Sequence, residues 1–266
     1  MSISIQRTDY QQRYLEQLEA LQQRNRERLA EGKRIAQAAD DSAGLAIARR
    51  LEATATGYAQ GERNLADGRS LVQTAEASLQ TSQSTVARMR ELAVQAQNGA
   101  LSAADRDVVQ QEFDQQAAQL DQTAQATQFG GRPLLDGSVA GADAVQVEGG
   151  DGDPTNVEIA AAGAAAIGVQ GLDVTDPASL DALDAAQRRL SNQRAGLGAL
   201  DAAFARQESQ AAAARGGAEE ARSRIEDVDV ARDVASLTRD RILSELTMAG
   251  QRVSDRNRSR VLDLLG

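Results

Sequence analysis

The chain contains no cysteine, no histidine and no tryptophan, and only 2 % of its residues are aromatic. Without cysteine there is no disulfide and no thiolate metal site. Without histidine, the commonest general base and the commonest zinc ligand are missing together. With so few rings, the core of a 266-residue chain has to be built from Leu, Val, Ile and Ala in thin layers, which suits rods better than a ball. No apolar run approaches membrane-spanning length. The opening MSISIQRTDYQQRY lacks a cationic start followed by an apolar core, so it is not a secretory signal of the usual kind. Proline is also scarce, and Pro133, Pro154 and Pro177 all fall in one stretch.

That stretch is physically distinct. Between Pro133 and Gln187 lie ten acids and no Lys or Arg: Asp136, Asp143, Glu148, Asp151, Asp153, Glu158, Asp173, Asp176, Asp181 and Asp184. The formal net charge of −10 therefore resides in the middle, and the two ends are balanced.

What the ends do contain is a period of seven. Leu51, Tyr58, Leu65, Val72, Leu79, Val86 and Ala93 are seven residues apart, and three further on come Thr54, Gly61, Gly68, Ala75, Ser82 and Met89. A sustained heptad is a coiled-coil seam. The small residues let a neighbouring backbone come close. The run Leu45–Gln97 predicts a proline-free rod roughly 75 Å long, at 1.5 Å per residue. Such a rod needs a partner, because an isolated stripe buries nothing. Leu183, Leu190, Leu197, Phe204, Ala211, Ala218 and Ile225 supply a second seam of the same length. The two matched seams predict an antiparallel pair that brings the chain ends together.

Residues 3–31 read as a first helix with Tyr10, Tyr14, Leu18, Leu21 and Leu29 at near-helical spacing. Gly32 can end it, and Asp40, Asp41 and Ser42 offer N-cap chemistry to the long rod, leaving Lys33–Gly44 as a connector. Asn98-Gly99 ends the rod, and Ser102-x-x-Asp105 resembles a capping box. Val109, Phe113, Ala117, Leu120 and Ala124 mark a shorter helix that stops at Phe129-Gly130-Gly131. In the middle, Ala144–Val147 and Asn156–Ile159 alternate in period two and predict a β-hairpin. Its acidic loop fails the calcium-loop spacing, since Asn156 and Ala162 stand where Gly and Glu are needed, so no metal is expected. The C-terminal helical pattern runs through Leu246, Val253, Val261 and Leu264. Arg252, Arg256, Arg258 and Arg260 lie among them, but Asp255 and Asp263 dilute the cluster and no ring offers stacking. A solvated face is expected there, not a nucleic-acid site. Asp40 and Asp41 are adjacent carboxylates but act more simply as caps, and no base–nucleophile pair is visible. The chain thus reads as mainly α, not an enzyme, with long antiparallel helical rods, a small β-hairpin region and no cofactor.

Four segments resemble bacterial flagellin: RLAEGKRIAQAADDSAGLAIARR (28–50), RMRELAVQAQNG (88–99), QATQFGGRPLLDG (125–137) and ARSRIEDVDVARDVASLTRDRIL (221–243). The resemblance implies a flagellar filament subunit, exported unfolded by the flagellar type III apparatus and secreted into an extracellular filament. It implies inner-tube helices at 1–32 and 230–266, a connector at 33–44, a rod domain at 45–136 and 178–229, and an outward-facing hairpin region at 137–177 without large outer domains. Tyr14, Leu18, Leu21, Leu246, Val253, Val261 and Leu264 become candidate assembly residues. The implied partners are other copies of the chain, an export chaperone, and hook-associated and cap proteins. Arg88, Leu92 and Glu112 match the positions through which a Toll-like innate receptor detects the family, on a face that also makes subunit contacts. No membrane insertion is implied. Residues 1–24 and 244–260 depart from the family by carrying more charge. Hook–filament junction proteins share this layout, and a soluble coiled-coil signalling or adaptor module would also explain the two seams.

Overall fold

The computed structural model describes residues 2–150 and 152–265, with backbone alone at 2–12, 258 and 261–265. The chain divides into two compact units: Ala55–Gly216, and Met1–Thr54 with Gly217–Gly266. Two long helices, α2 (Ser42–Ala96) and α5 (Ala178–Glu226), run on through the division.

In the unit 55–216 the heptads form the core. Leu65, Val72, Leu79 and Val86 on α2, and Leu183, Leu190, Leu197 and Phe204 on α5, are all buried. Each such side chain contributes about 1.5–3 kcal/mol relative to exposure. Interhelical pairs such as Glu62–Arg215 and Arg90–Asp184 show that the helices run in opposite directions. α2 stops where Arg106 Nε donates to the Ala96 carbonyl, satisfying an otherwise orphaned acceptor. Helix α3 (Ala103–Ala126) then starts on a complete capping box between Ser102 and Asp105, and packs Val109, Phe113, Ala117, Leu120 and Ala124 inward.

The middle of the chain lies on the rods and does not stand free of them. Strands β1 (Gln128–Phe129) and β2 (Arg132–Pro133) form a minimal hairpin where the sequence suggested only a helix stop. Gly130 and Gly131 make it possible, with φ of +58° and +83°. Strands β3 (Val145–Glu148) and β4 (Pro154–Val157) pair antiparallel, with Val145 opposite Val157 and Glu148 opposite Pro154. The second strand sits two residues earlier than expected because Ile159 leaves the ladder to bridge Val139. Helix α4 (Ala164–Ile167) follows. Val147, Val157, Ile159, Ile167 and Val174 join the rod core, while the described acids from Asp136 to Asp181 remain at the surface.

The hairpin also corrects the reading of the small seam residues. A Cβ on Gly61 would overlap the Gly149 carbonyl, and one on Gly68 would lie 3.0 Å from Val147 Cγ2. Asn64 Nδ2 donates to the Glu148 carbonyl at 3.1 Å, and on α5 Gln207 Nε2 donates to Thr155 Oγ1 at 3.0 Å. Gly61 therefore seats the hairpin backbone, while Gly68 makes room for the Val147 side chain of the hairpin and for Phe204 of α5, 3.4 Å from its Cβ position.

In the other unit, α1 (Ser2–Glu31) packs against α6 (Val230–Leu265), and the connector joins α1 to α2. Leu51, Tyr58 and Ile225, expected in the seam, are only half-buried.

Candidate functional site

The connector is built from residues whose types are individually required. Gly32 ends α1 with φ of +71°, which favours glycine. The next residues pair with the end of α5. Arg34 N–H donates to the Glu226 carbonyl at 2.6 Å, and Val228 N–H donates to the Gly32 carbonyl at 3.1 Å. Arg34 Nη2 donates to the Ile225 carbonyl at 2.5 Å, and Lys33 Nζ lies 2.5 Å from Glu226 Oε1. Ile35 is buried beneath them. Asp40 then accepts from the N–H groups of Ala36 and Gln37, both at 3.2 Å. The Gln37 and Ala36 N–H groups, with Arg28, hold its carboxyl below the usual carboxylate range. Asp41 caps α2 by accepting from Gly44 N–H at 2.8 Å. Residue 44 is glycine because a Cβ there would meet Asp41 Oδ2 and Ile35 Cδ1 at 2.5 and 2.8 Å.

Helix α6 shows an inverted polarity. The covered side of α6 carries Asp233, Leu237, Asp240, Ser244, Thr247 and Gln251, and Asp240 and Ser244 are the buried members. At about 100° per residue, Ile242, Leu246 and Val253 lie on the opposite side. They are 52 %, 63 % and 58 % exposed. On α1, Leu18 is buried, whereas Tyr14 and Leu21 are exposed. The expected assembly residues thus divide: Leu18 packs inside, Tyr14, Leu21, Leu246 and Val253 face out, and the side chains of Val261 and Leu264 lie outside the described residues.

On the rod unit, Arg88 Nη2 donates to Glu112 Oε1 at 2.6 Å and Arg88 Nη1 to Glu91 Oε2 at 3.1 Å. Glu112 first, then Glu91, holds the guanidinium above its ordinary range. Leu92 is only 1 % exposed and belongs to the core, so Arg88 and Glu112 alone of that expected trio reach the surface. Among the described residues no helix is long and apolar enough to cross a membrane.

The N-terminal helical region of bacterial flagellin matches residues 6–140, and the C-terminal helical region of bacterial flagellin matches residues 180–265. The chain belongs to the bacterial flagellin family. As a flagellin it is a structural subunit of the flagellar filament. The flagellin of Halalkalibacterium halodurans is 35 % identical over 254 residues, covering 91 % of each chain. The flagellar filament 33 kDa core protein of Treponema phagedenis is 33 % identical over 262 residues, covering 91 % of this chain and 92 % of the relative. A solved structure from Vibrio parahaemolyticus, assigned to the flagellar hook-associated proteins, superposes with a TM-score of 0.60 over 70 % of this chain and 99 % of its own, at 15 % identity. That likeness concerns the fold alone, so the hook–filament junction alternative gains no support from it.

In this flagellin the two most distinctive sequence segments, 28–50 and 221–243, turn out to be each other's partners. Gly32-Lys33-Arg34-Ile35 and Ile225-Glu226-Asp227-Val228 hydrogen-bond side by side. Sequence reading placed the Asp41 cap but missed this clasp, because a two-residue antiparallel bridge has no periodicity. The available signal was charge: a Lys-Arg pair in one segment and a Glu-Asp pair in the other.

Proposed function

We propose that this flagellin polymerises through its terminal helices, with residues 1–32 and 230–266 forming the inner layer and the rods the next. The observation that carries this reading is the inverted polarity of α6. An apolar stripe turned to water, on a helix whose covered side is polar, is the wrong way round for a helix that works alone. Burying that stripe needs a second apolar surface, and every further copy of the chain carries one. The role is structural and not catalytic. Export as an unfolded chain through the flagellar type III apparatus, with an export chaperone, hook-associated proteins and a cap as partners, fits the family. So does a place in the extracellular filament. Recognition by a Toll-like receptor would rest on Arg88 and Glu112, since Leu92 is covered.

The test is Ile242→Glu combined with Leu246→Glu in the full chain. Both side chains are exposed, so the thermal melt of the monomer should be unchanged. Electron microscopy should show filaments from the parent and none from the variant. Normal filaments from the variant would remove the terminal helices from the contact.

A further inference from the structure

The apolar seam between α2 and α5 has a defect as a code. Leu65, Val72, Leu79 and Val86 face a partner of Leu183, Leu190 and Leu197, all at seven-residue intervals. Sliding one helix by seven residues, about 10 Å, replaces Leu or Val by Leu or Val. At these positions the seam buries apolar surface almost equally well in several registers, with Phe204 as the main exception; the residues three further on, from Gly68 to Met89, add unequal packing. Coiled coils commonly resolve this with charges flanking the seam.

The flank of this seam carries such charges, also at multiples of seven. On α2 they are Glu62, Arg69, Glu76 and Arg90. Arg215 Nε meets Glu62 Oε1 at 3.0 Å. Arg69 reaches two acids, Glu208 at 3.0 Å and Asp201 at 3.3 Å. Arg194 reaches Glu76 at 3.3 Å and donates to Gln83 Oε1 at 2.7 Å. Arg90 meets Asp184 at 2.8 Å. The order of signs along α2 is not repeated, so the ladder fits in one register. Sliding by seven one way places Glu76 between Glu208 and Asp201, and Arg90 beside Arg194. Sliding the other way places Glu62 between Glu208 and Asp201. Each slip sets like charges together, and like charges are destabilising at this spacing.

We infer that this ladder, with Arg69 as its central residue, selects the register in which α2 and α5 pair. The apolar seam supplies the attraction and the ladder supplies the choice. Arg69 is a positioning residue: it acts on where the two helices stop relative to each other.

The absence of cysteine makes the register directly measurable in the full chain. Gln83 Nε2 donates to Ser191 Oγ at 3.1 Å, so Gln83→Cys with Ser191→Cys reports the native register to a short thiol-specific cross-linker. Gln83→Cys with Gly198→Cys reports a slip of one heptad. With Arg69 present, only the first pair should cross-link efficiently. Adding Arg69→Glu places three carboxylates together in the native register and should lower the native cross-link several-fold without favouring the slipped one, which brings Glu76 to the same two acids. Salt at 1 M, where the Debye length is about 3 Å, should restore the native yield. Reversing the rung with Arg69→Glu, Asp201→Arg and Glu208→Arg should restore it at low salt. If Arg69→Glu alone fails to fold, the reversed rung still decides: native cross-linking supports the ladder, and its absence overturns it. Native yield in Arg69→Glu equal to that of the parent at low salt would also overturn it, and would assign the register to the packing of Phe204.

Discussion

Lys33 is the only lysine in the chain, and its ammonium lies 2.5 Å from the carboxylate of Glu226, a side chain that is almost fully buried. The pair fastens the connector to the end of α5 beside the hydrogen bonds from Arg34 and Ile35 N–H to the Glu226 carbonyl. Arg222 is a distant second partner for the same carboxylate, at 3.9 Å.

Lys33→Met should therefore cost about 1–3 kcal/mol, the range for a buried acceptor left short of its donor. Solvent at the half-exposed ammonium puts the loss toward the lower end. Glu226→Gln, which removes the charge along with its need for a partner, should cost less. Amide exchange at Arg34 and Ile35 should quicken more in the first variant than in the second. Equal exchange in parent and Lys33→Met would mean that the backbone bridge alone holds the connector.

Two glycines four residues apart on α2 should respond to alanine with opposite signs. Nothing lies within 4 Å of a Cβ built on Gly57, so Gly57→Ala should stabilise by up to about 1 kcal/mol through helix propensity. At Gly61 the same methyl overlaps the Gly149 carbonyl, and the β3–β4 hairpin must lift to admit it. Gly61→Ala should cost about 1–3 kcal/mol, as overpacking does. Thermal melts of the two variants check this. A stabilised Gly61→Ala would mean that the hairpin does not rest on α2.

These glycines show how far the sequence could be read. The heptads marked both rods and the seam apart from its half-buried end positions Leu51, Tyr58 and Ile225, because burial at intervals of seven is imposed by helix geometry. The capping box at Ser102 and the cap at Asp41 were equally legible, since each needs only its local neighbours, whereas Asp40, expected to cap the rod as well, turns back to the Ala36 and Gln37 N–H groups of the connector. Gly61 and Gly68 were correctly marked as sites of close approach, but the hairpin is the visitor at Gly61 and shares Gly68 with Phe204 of α5. A period of seven says which side of a helix is covered and is silent about what covers it. The clasp between Gly32–Ile35 and Ile225–Val228 and the outward turn of Ile242 and Leu246 depend on contacts across the length of the chain, which no local pattern records.

The connector should loosen in acid. Gln37 and Ala36 N–H groups hold the Asp40 carboxyl below its usual range, so the folded value is lower than the unfolded one. The contribution of Asp40 is then complete above the ordinary carboxylate value near 4, and is lost as pH falls through the lowered folded value. The Ala36 and Gln37 amide resonances should report a midpoint below that of a free aspartate. Asp40→Asn should abolish the titration at both amides. A midpoint at or above the free value would remove Asp40 from the connector's hydrogen bonding.

The acidic middle predicts how filaments treat one another. Asp136, Asp143, Glu148, Asp153, Glu158, Asp173, Asp176 and Asp181 are all exposed, and no Lys or Arg lies between Pro133 and Gln187 to offset them. Asp151 belongs to the same run but falls outside the described residues. If this segment lines the outer rim of the polymer, repetition makes a dense anionic surface that keeps filaments apart at neutral pH and low salt. Screening weakens the repulsion, because the Debye length falls from about 30 Å at 0.01 M to about 3 Å at 1 M. Protonation should remove it only well into acid. The Ser138 and Thr175 hydroxyls, assisted by their backbone N–H groups, hold Asp136 and Asp173 below the usual range, so these two stay charged longest. Side-by-side bundling is therefore expected below the sequence pI of about 4.7, as the carboxylates protonate, or with multivalent cations. Replacing Asp143, Asp153 and Asp173 with Asn should move its onset toward neutral pH, which light scattering against pH would follow. An onset that does not move would place the controlling contact on another surface.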